Sequence, residues 1–87
     1  MAWDVEYAAR CEKNGITGAE YSKWTQWSSY IMQGHHPRTA SEMAGHLGYE
    51  QLSKGVYSIR LSKGGRVYFT LDDEKEICTI EQIGGHR

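Results

Sequence analysis

The sequence has no apolar run approaching the roughly 18 to 20 residues that a membrane-spanning helix requires. Its first residues also lack the charged-then-apolar order of a secretory signal. A soluble, cytoplasmic chain without a membrane partner is the expectation. Paired cysteine chemistry is missing too. Cys11 and Cys78 belong to segments of different pattern with no ligand spacing around them, which argues against a redox pair or zinc knuckle and for buried free thiols. Nor is there a basic surplus. Ten Lys and Arg against eleven Asp and Glu give a net charge of −1 and a pI near 6.4, so any affinity for a polyanion has to come from a local patch. Repeats, low-complexity tracts and linkers are absent, and the 87 residues read as one domain, 1–87, near the size at which a single core just outweighs chain entropy.

What is present is aromatic and clearly punctuated. Three tryptophans and six tyrosines supply enough bulk to fold without metal or disulfide staples. Thr17 and Glu20 have capping-box spacing. Trp24, Trp27, Ser28 and Ile31 then recur at helical intervals, and Gly34 ends the run. Beyond His35-His36-Pro37, Thr39 and Glu42 repeat the capping spacing, and Ala40, Met43, Ala44 and Leu47 form a short apolar stripe before Gly48. These two segments predict a helical hairpin. Ahead of them, Trp3, Val5 and Tyr7 alternate with Asp4 and Glu6 as a half-buried strand would. A helix from Asp4 through Lys13, stopped at Asn14-Gly15, is the alternative.

From Val56 the period changes to two. Tyr57, Ile59 and Leu61 alternate with Ser58, Arg60 and Ser62; Lys63-Gly64-Gly65 supplies a turn; Val67, Phe69 and Leu71 alternate with Arg66, Tyr68 and Thr70. After an acidic turn at Asp72 and Asp73, Ile77 to Ile83 reads as a third strand. The expected fold is therefore α+β: an N-terminal strand or short helix, a helical hairpin, and a three-stranded antiparallel meander. Helices covering the apolar sheet face leave Arg60, Arg66 and Tyr68 together on a solvent face.

Metal-independent RNA cleavage needs a base for the ribose 2′-hydroxyl, an acid for the departing 5′-oxygen, and fixed positive charge at the phosphate. Glu, His and Arg suit these tasks. Glu50 precedes the meander, and His86 follows Gly84-Gly85, two residues that let the chain bend. His35, His36 and His46 lack metal-ligand spacing and read as loop and helix-end residues. Trp24 and Trp27 read as core rather than as a base-stacking platform.

The stretch Gly55-Val56-Tyr57-Ser58-Ile59-Arg60-Leu61-Ser62 followed by Lys63-Gly64-Gly65-Arg66-Val67-Tyr68-Phe69 resembles the central hairpin of YoeB-like members of the RelE toxin superfamily. Glu50-Gln51-Leu52 is similar to their lead-in, and Ile83-Gly84-Gly85-His86-Arg87 to their C-termini. Ala2-Trp3-Asp4-Val5-Glu6-Tyr7 looks like the opening strand of related phage-derived toxins. The match is good over about the last 40 residues, and poor between residues 8 and 48.

The resemblance implies a RelE/ParE-like fold, with the sheet shared by barnase, colicins and RelE, and an mRNA endoribonuclease toxin that arrests translation and growth. Glu50 would be the general base, His86 the general acid and Arg66 the phosphate clamp, with Arg60, Tyr68, Lys63 and Arg87 placing the substrate and no metal or cofactor. The implied partners are mRNA, often in the ribosomal A site, and a cognate antitoxin or immunity protein. Two alternatives stand beside it: a ParE-like inhibitor that binds gyrase without catalysis, and the RNase tip of a colicin or contact-dependent inhibition toxin. The departures are the acidic balance and the absence of the long first helix common in that family. In the plainer reading, Glu50 is a surface carboxylate, His86 a solvated tail residue, and the two arginines solvate the sheet or pair with the acidic turn.

Overall fold

The computed structural model describes residues 2–13 and 15–85, and is α+β with two helices and a five-stranded mixed sheet. The elements are β1 (Asp4–Lys13), α1 (Gly18–Met32), α2 (Pro37–Met43), β2 (Glu50–Ser53), β3 (Val56–Arg60), β4 (Arg66–Asp72) and β5 (Ile77–Ile83). Strand order is β1-β5-β4-β3-β2; β1 runs parallel to β5 and every other pairing is antiparallel. No helix among the described residues is long and apolar enough to cross a membrane.

The N-terminal segment is a strand, as its alternation favoured, with Val5 opposite Cys78 and Tyr7 opposite Ile80. Asn14 lies outside the described residues. The expected three-stranded meander is corrected at both ends, because β1 joins β5 and β2 extends the antiparallel part. β2 gives no burial signal, since Glu50, Gln51, Leu52 and Ser53 are all exposed. Pairing with β3 defines it instead.

Helix α1 begins as its sequence foretells. Thr17 N donates to Glu20 Oε1 at 2.8 Å, and Glu20 N donates to Thr17 Oγ1 at 3.1 Å. Its inner side carries Trp24, Trp27 and Ile31 into the core. The Trp27 ring meets Phe69 of β4 at 5.0 Å between centroids, and Trp27 Nε1 donates to Pro37 O at 3.1 Å. Helix α2 starts two residues before the Thr39 position expected to open it. Pro37 occupies the first turn, where a missing N–H costs nothing, and His36 Nδ1 accepts from Arg38 N at 3.0 Å as the cap. Histidine is an uncommon cap, which is why Thr39 looked better. In the short stripe, Ala40, Ala44 and Leu47 are buried but Met43 is exposed.

Ile59, Leu61, Val67, Phe69, Cys78, Ile80 and Ile83 complete the core. Ile80 and Ile83 are three residues apart and would normally point to opposite faces. The bulge across β4 and β5 resolves this: Phe69 pairs with Ile80 and Tyr68 with Gln82, so Glu81 is the extra residue and the alternation restarts in phase. Cys78 is fully buried and burial pushes its thiol pKa up, as expected of an inert core cysteine; Cys11 is only half-buried.

Candidate functional site

Phe69 faces α1, so its neighbours Tyr68 and Thr70 belong to the helix-free face. Pairing extends this face across four strands: Glu50 of β2 is opposite Ser58 of β3, Ser58 opposite Tyr68 of β4, and Tyr68 opposite Gln82 of β5. The next row on the same face holds Arg60 opposite Arg66. Register thus brings Glu50, Arg60, Arg66 and Tyr68 to one face. Two strand spacings, roughly 10 Å, separate β2 from β4, with β3 and its Ser58 and Arg60 between them.

The two arginines are close. Arg60 N donates to Leu47 O at 2.6 Å, away from β4, while Arg66 exchanges backbone bonds with Gly84 and Gly85 on its β5 side. Neither uses its backbone toward the other, so they form a non-hydrogen-bonded pair, with Cα atoms about 4.5 Å apart. Like charges directly opposite on a sheet are unfavourable. The acidic turn does not relieve this, because Arg66 and Asp72 mark opposite ends of β4, roughly 20 Å apart. Arg60 remains exposed, and its stem lies near Gly48, at the sheet margin. Arg66 is half-buried, and its Nε is buried with no hydrogen-bond partner among the described residues.

The tail is fixed at this point. Gly84 N donates to Arg66 O at 2.7 Å and Arg66 N to Gly85 O at 3.3 Å. Gly84 and Gly85 have φ of 80° and 72°, two successive left-handed residues that glycine adopts without strain. The bend expected of Gly84-Gly85 is there, stitched to the backbone of Arg66. His86 and Arg87 lie outside the described residues.

Tyr68 does not stand in solvent as its alternation predicts. Tyr68 shares the helix-free face but is 4 % exposed, and Ser58 and Gln82 beside it are also buried. Gln82 Nε2 donates to Gly84 O at 3.1 Å, so the bend is tied to this row. Tyr68 is part of the floor of the face rather than a side chain standing free in solvent. Gln82 was not singled out from sequence because the Glu81 bulge hides its phase. Lys63 is exposed in the turn between β3 and β4.

The other side of the sheet has an aromatic cleft of about 310 Å³ lined by residues that include His36, Arg38, Tyr49, Tyr57 and Asp73. Tyr57 stacks on Phe69 at 6.0 Å, Tyr49 lies 5.5 Å from Tyr57, and the Arg38 guanidinium sits 5.5 Å from the Tyr49 ring centroid. Burial pushes the Tyr49 hydroxyl up to about 12, so it stays protonated. The cluster extends the core outward, and the Asp73 carboxylate that shares the cleft with His36 acts on the imidazole against the larger effect of burial.

No protein-family model matches the chain, and no curated protein matches it.

Proposed function

We propose that the chain is an endoribonuclease toxin of the RelE/YoeB type, acting through the helix-free face of its sheet. The observation that carries the reading is the cross-strand register: a carboxylate, Glu50, and two directly opposed arginines, Arg60 and Arg66, share one face, with no acidic residue paired opposite the arginines among the described residues. A guanidinium nitrogen buried with no partner among the described residues is costly to retain, and an anion held by Arg66 would relieve both that cost and the repulsion from Arg60.

In this reading Glu50 accepts the proton of a ribose 2′-hydroxyl, whose oxygen attacks the adjacent phosphorus. The phosphorus–5′-oxygen bond breaks, and His86 protonates the departing oxygen. The products are a 2′,3′-cyclic phosphate and a 5′-hydroxyl. Arg66 stabilises the extra negative charge on the pentavalent phosphorus, where preorganised donors have their largest effect. Arg60, Lys63 and Arg87 hold the flanking strand, and Tyr68 supports the floor beneath it. The proposed substrate is mRNA, with the ribosomal A site as one setting, and the proposed binding partner is an antitoxin or immunity protein covering this face.

The test is direct incubation of the purified protein with a short single-stranded RNA, and separately with translating ribosomes, followed by end-group analysis. Cleavage leaving 2′,3′-cyclic ends, lost in Arg66→Ala and His86→Gln proteins that remain folded, supports the reading. Undiminished cleavage in both variants overturns the assignment of residues, and no cleavage in either setting overturns the activity.

A further inference from the structure

At the margin of the sheet where Arg60 sits, a groove of about 320 Å³ opens toward the helices. Its walls come from four separate parts of the chain: Lys23 from α1, His46 and Gly48 from the connection after α2, Arg60 from β3, and Lys63 from the β3–β4 turn. No carboxylate among the described residues lines it. Glu20, behind Ser62, is already engaged, accepting from Ser62 Oγ at 2.6 Å and Thr17 N at 2.8 Å, and Glu42 lines the neighbouring hollow rather than this groove. Lys23 Nζ donates to Ala44 O at 3.3 Å, closing the C-terminal end of α2. That bond uses one of its three donors. The side chains of His46, Arg60 and Lys63 have no hydrogen-bond or ion-pair partner among the described residues.

Lys23 by itself is accounted for as a helix cap, and Lys63 by itself as a solvated turn residue. Neither account explains why both converge with Arg60 and His46 on one concavity, in a chain whose net charge is −1. Three full positive charges around one hollow repel each other unless an anion is present. Donors arriving from several directions suit a tetrahedral phosphate better than a planar carboxylate, which is met edge-on by a single fork. Past His46 and Gly48 lies a second hollow lined by both Arg38 and Glu42, so the unopposed positive charge is confined to the groove of Lys23, Arg60 and Lys63.

We infer that this groove is a phosphodiester subsite for single-stranded RNA, holding phosphates next to the one bound at Arg66. The inference rests on the proposed RNA-cutting face, to which Arg60 joins it: its backbone is opposite Arg66 and its stem lies over the groove near Gly48. A strand leaving the helix-free face at Arg60 passes round the sheet margin into the hollow between Lys23 and Lys63. A local track of this kind supplies the docking charge that the acidic composition withholds.

The experiment measures binding of a fluorescent 2′-O-methyl oligoribonucleotide, which has no attacking hydroxyl, as a function of salt. Each phosphate contact of a single strand contributes about 0.7 to the slope of log K against log salt. The double variant Lys23→Gln, Lys63→Gln is expected to bind more weakly and to lose about 1.4 from that slope, whereas Lys54→Gln, Lys75→Gln, which removes equal charge from exposed positions outside the groove, leaves the slope as it was. Thermal unfolding checks that Lys23→Gln, with its amide still able to donate to Ala44, has not lost the fold. An unchanged slope in the groove variant, or an equal loss in both, overturns the inference. Inorganic phosphate is the second arm: displacement of the strand at micromolar phosphate would mark a free-anion site and overturn the strand assignment. Because the probe is uncleavable, a groove that binds it while wild type fails to cut RNA refutes the activity alone. Cutting with a groove variant that binds normally refutes the groove alone.

Discussion

Glu20 and Ser62 are 42 positions apart in sequence, yet Ser62 Oγ donates to Glu20 Oε2 at 2.6 Å while the other oxygen of the same carboxylate caps α1. Ser62 Oγ also accepts from Gly65 N at 3.1 Å, so one carboxylate ties the first turn of α1 to the loop that sets the β3–β4 register. Arg60 and Arg66 flank that loop. The register of the candidate site therefore depends on a contact made by a helix cap.

Gly65 leaves no room beside this contact. A methyl group there would overlap the Glu20 carboxylate, with Glu20 Cδ only 2.9 Å away, and would meet Ser62 Oγ at 3.2 Å. Gly65→Ala is expected to cost about 1–3 kcal/mol, the usual range for overpacking, and to lower Tm by about 4–8 °C per kcal/mol. Gly64→Ala, with nothing within 4 Å of the added carbon, serves as the neighbouring control in thermal unfolding and stays close to wild type.

Acid should act in two separate windows. The hydrogen bond from Ser62, followed by the backbone bond from Thr17, holds the Glu20 carboxyl below its ordinary 4.5; the charged form favours the folded state, so this stabilisation is present above 4.5 and is lost as pH falls through the depressed value. Burial lowers His36 below its ordinary 6.5, and Nδ1 must be unprotonated to cap α2; its contribution is present above 6.5 and is lost as pH falls through the lowered value. A plot of Tm against pH is expected to decline first below 6.5 and again below 4.5. His36→Asn, which keeps a capping acceptor without an ionisable ring, flattens the first decline, and Glu20→Gln flattens the second.

Trp27 joins the two helices by both packing and polarity. It is fully buried, and its Nε1 donates to Pro37 O, which begins α2. Trp27→Phe keeps a ring against Phe69 but leaves a buried carbonyl without its donor, a loss of about 1–3 kcal/mol from that group plus the space vacated. Urea unfolding gives the comparison, and the midpoint should fall.

The elements legible in the sequence were those with a local cause. Capping at Thr17 and Glu20, the helical spacing of Trp24, Trp27 and Ile31, and the alternation from Tyr57 to Leu71 each act within a few residues, and each appears where expected. The missed features had non-local causes. β2 exists by pairing with β3 rather than by burying a face, the phase of Gln82 turns on an extra residue at Glu81, and α2 is capped by a histidine whose ring packs edge-on against Trp3 at 4.8 Å. In the candidate site, alternation was enough to put Arg60, Arg66 and Tyr68 on one face, and Glu50 joins them through the unforeseen strand. Alternation did not reveal that Tyr68 is covered, or that Lys23 and His46 meet Arg60 from the helix side. Those positions follow only from how the layers stack.

If Arg66 is the phosphate clamp of an RNA-cutting face, as proposed, cleavage depends on its guanidinium. Single-turnover cleavage of a short RNA by wild type and Arg66→Ala, with folding checked by thermal unfolding, tests it most directly. Wild type is expected to leave 2′,3′-cyclic ends, and the variant's rate to be lower by about 10² to 10³, the usual cost of removing one preorganised transition-state donor. Equal rates for the two proteins would contradict it.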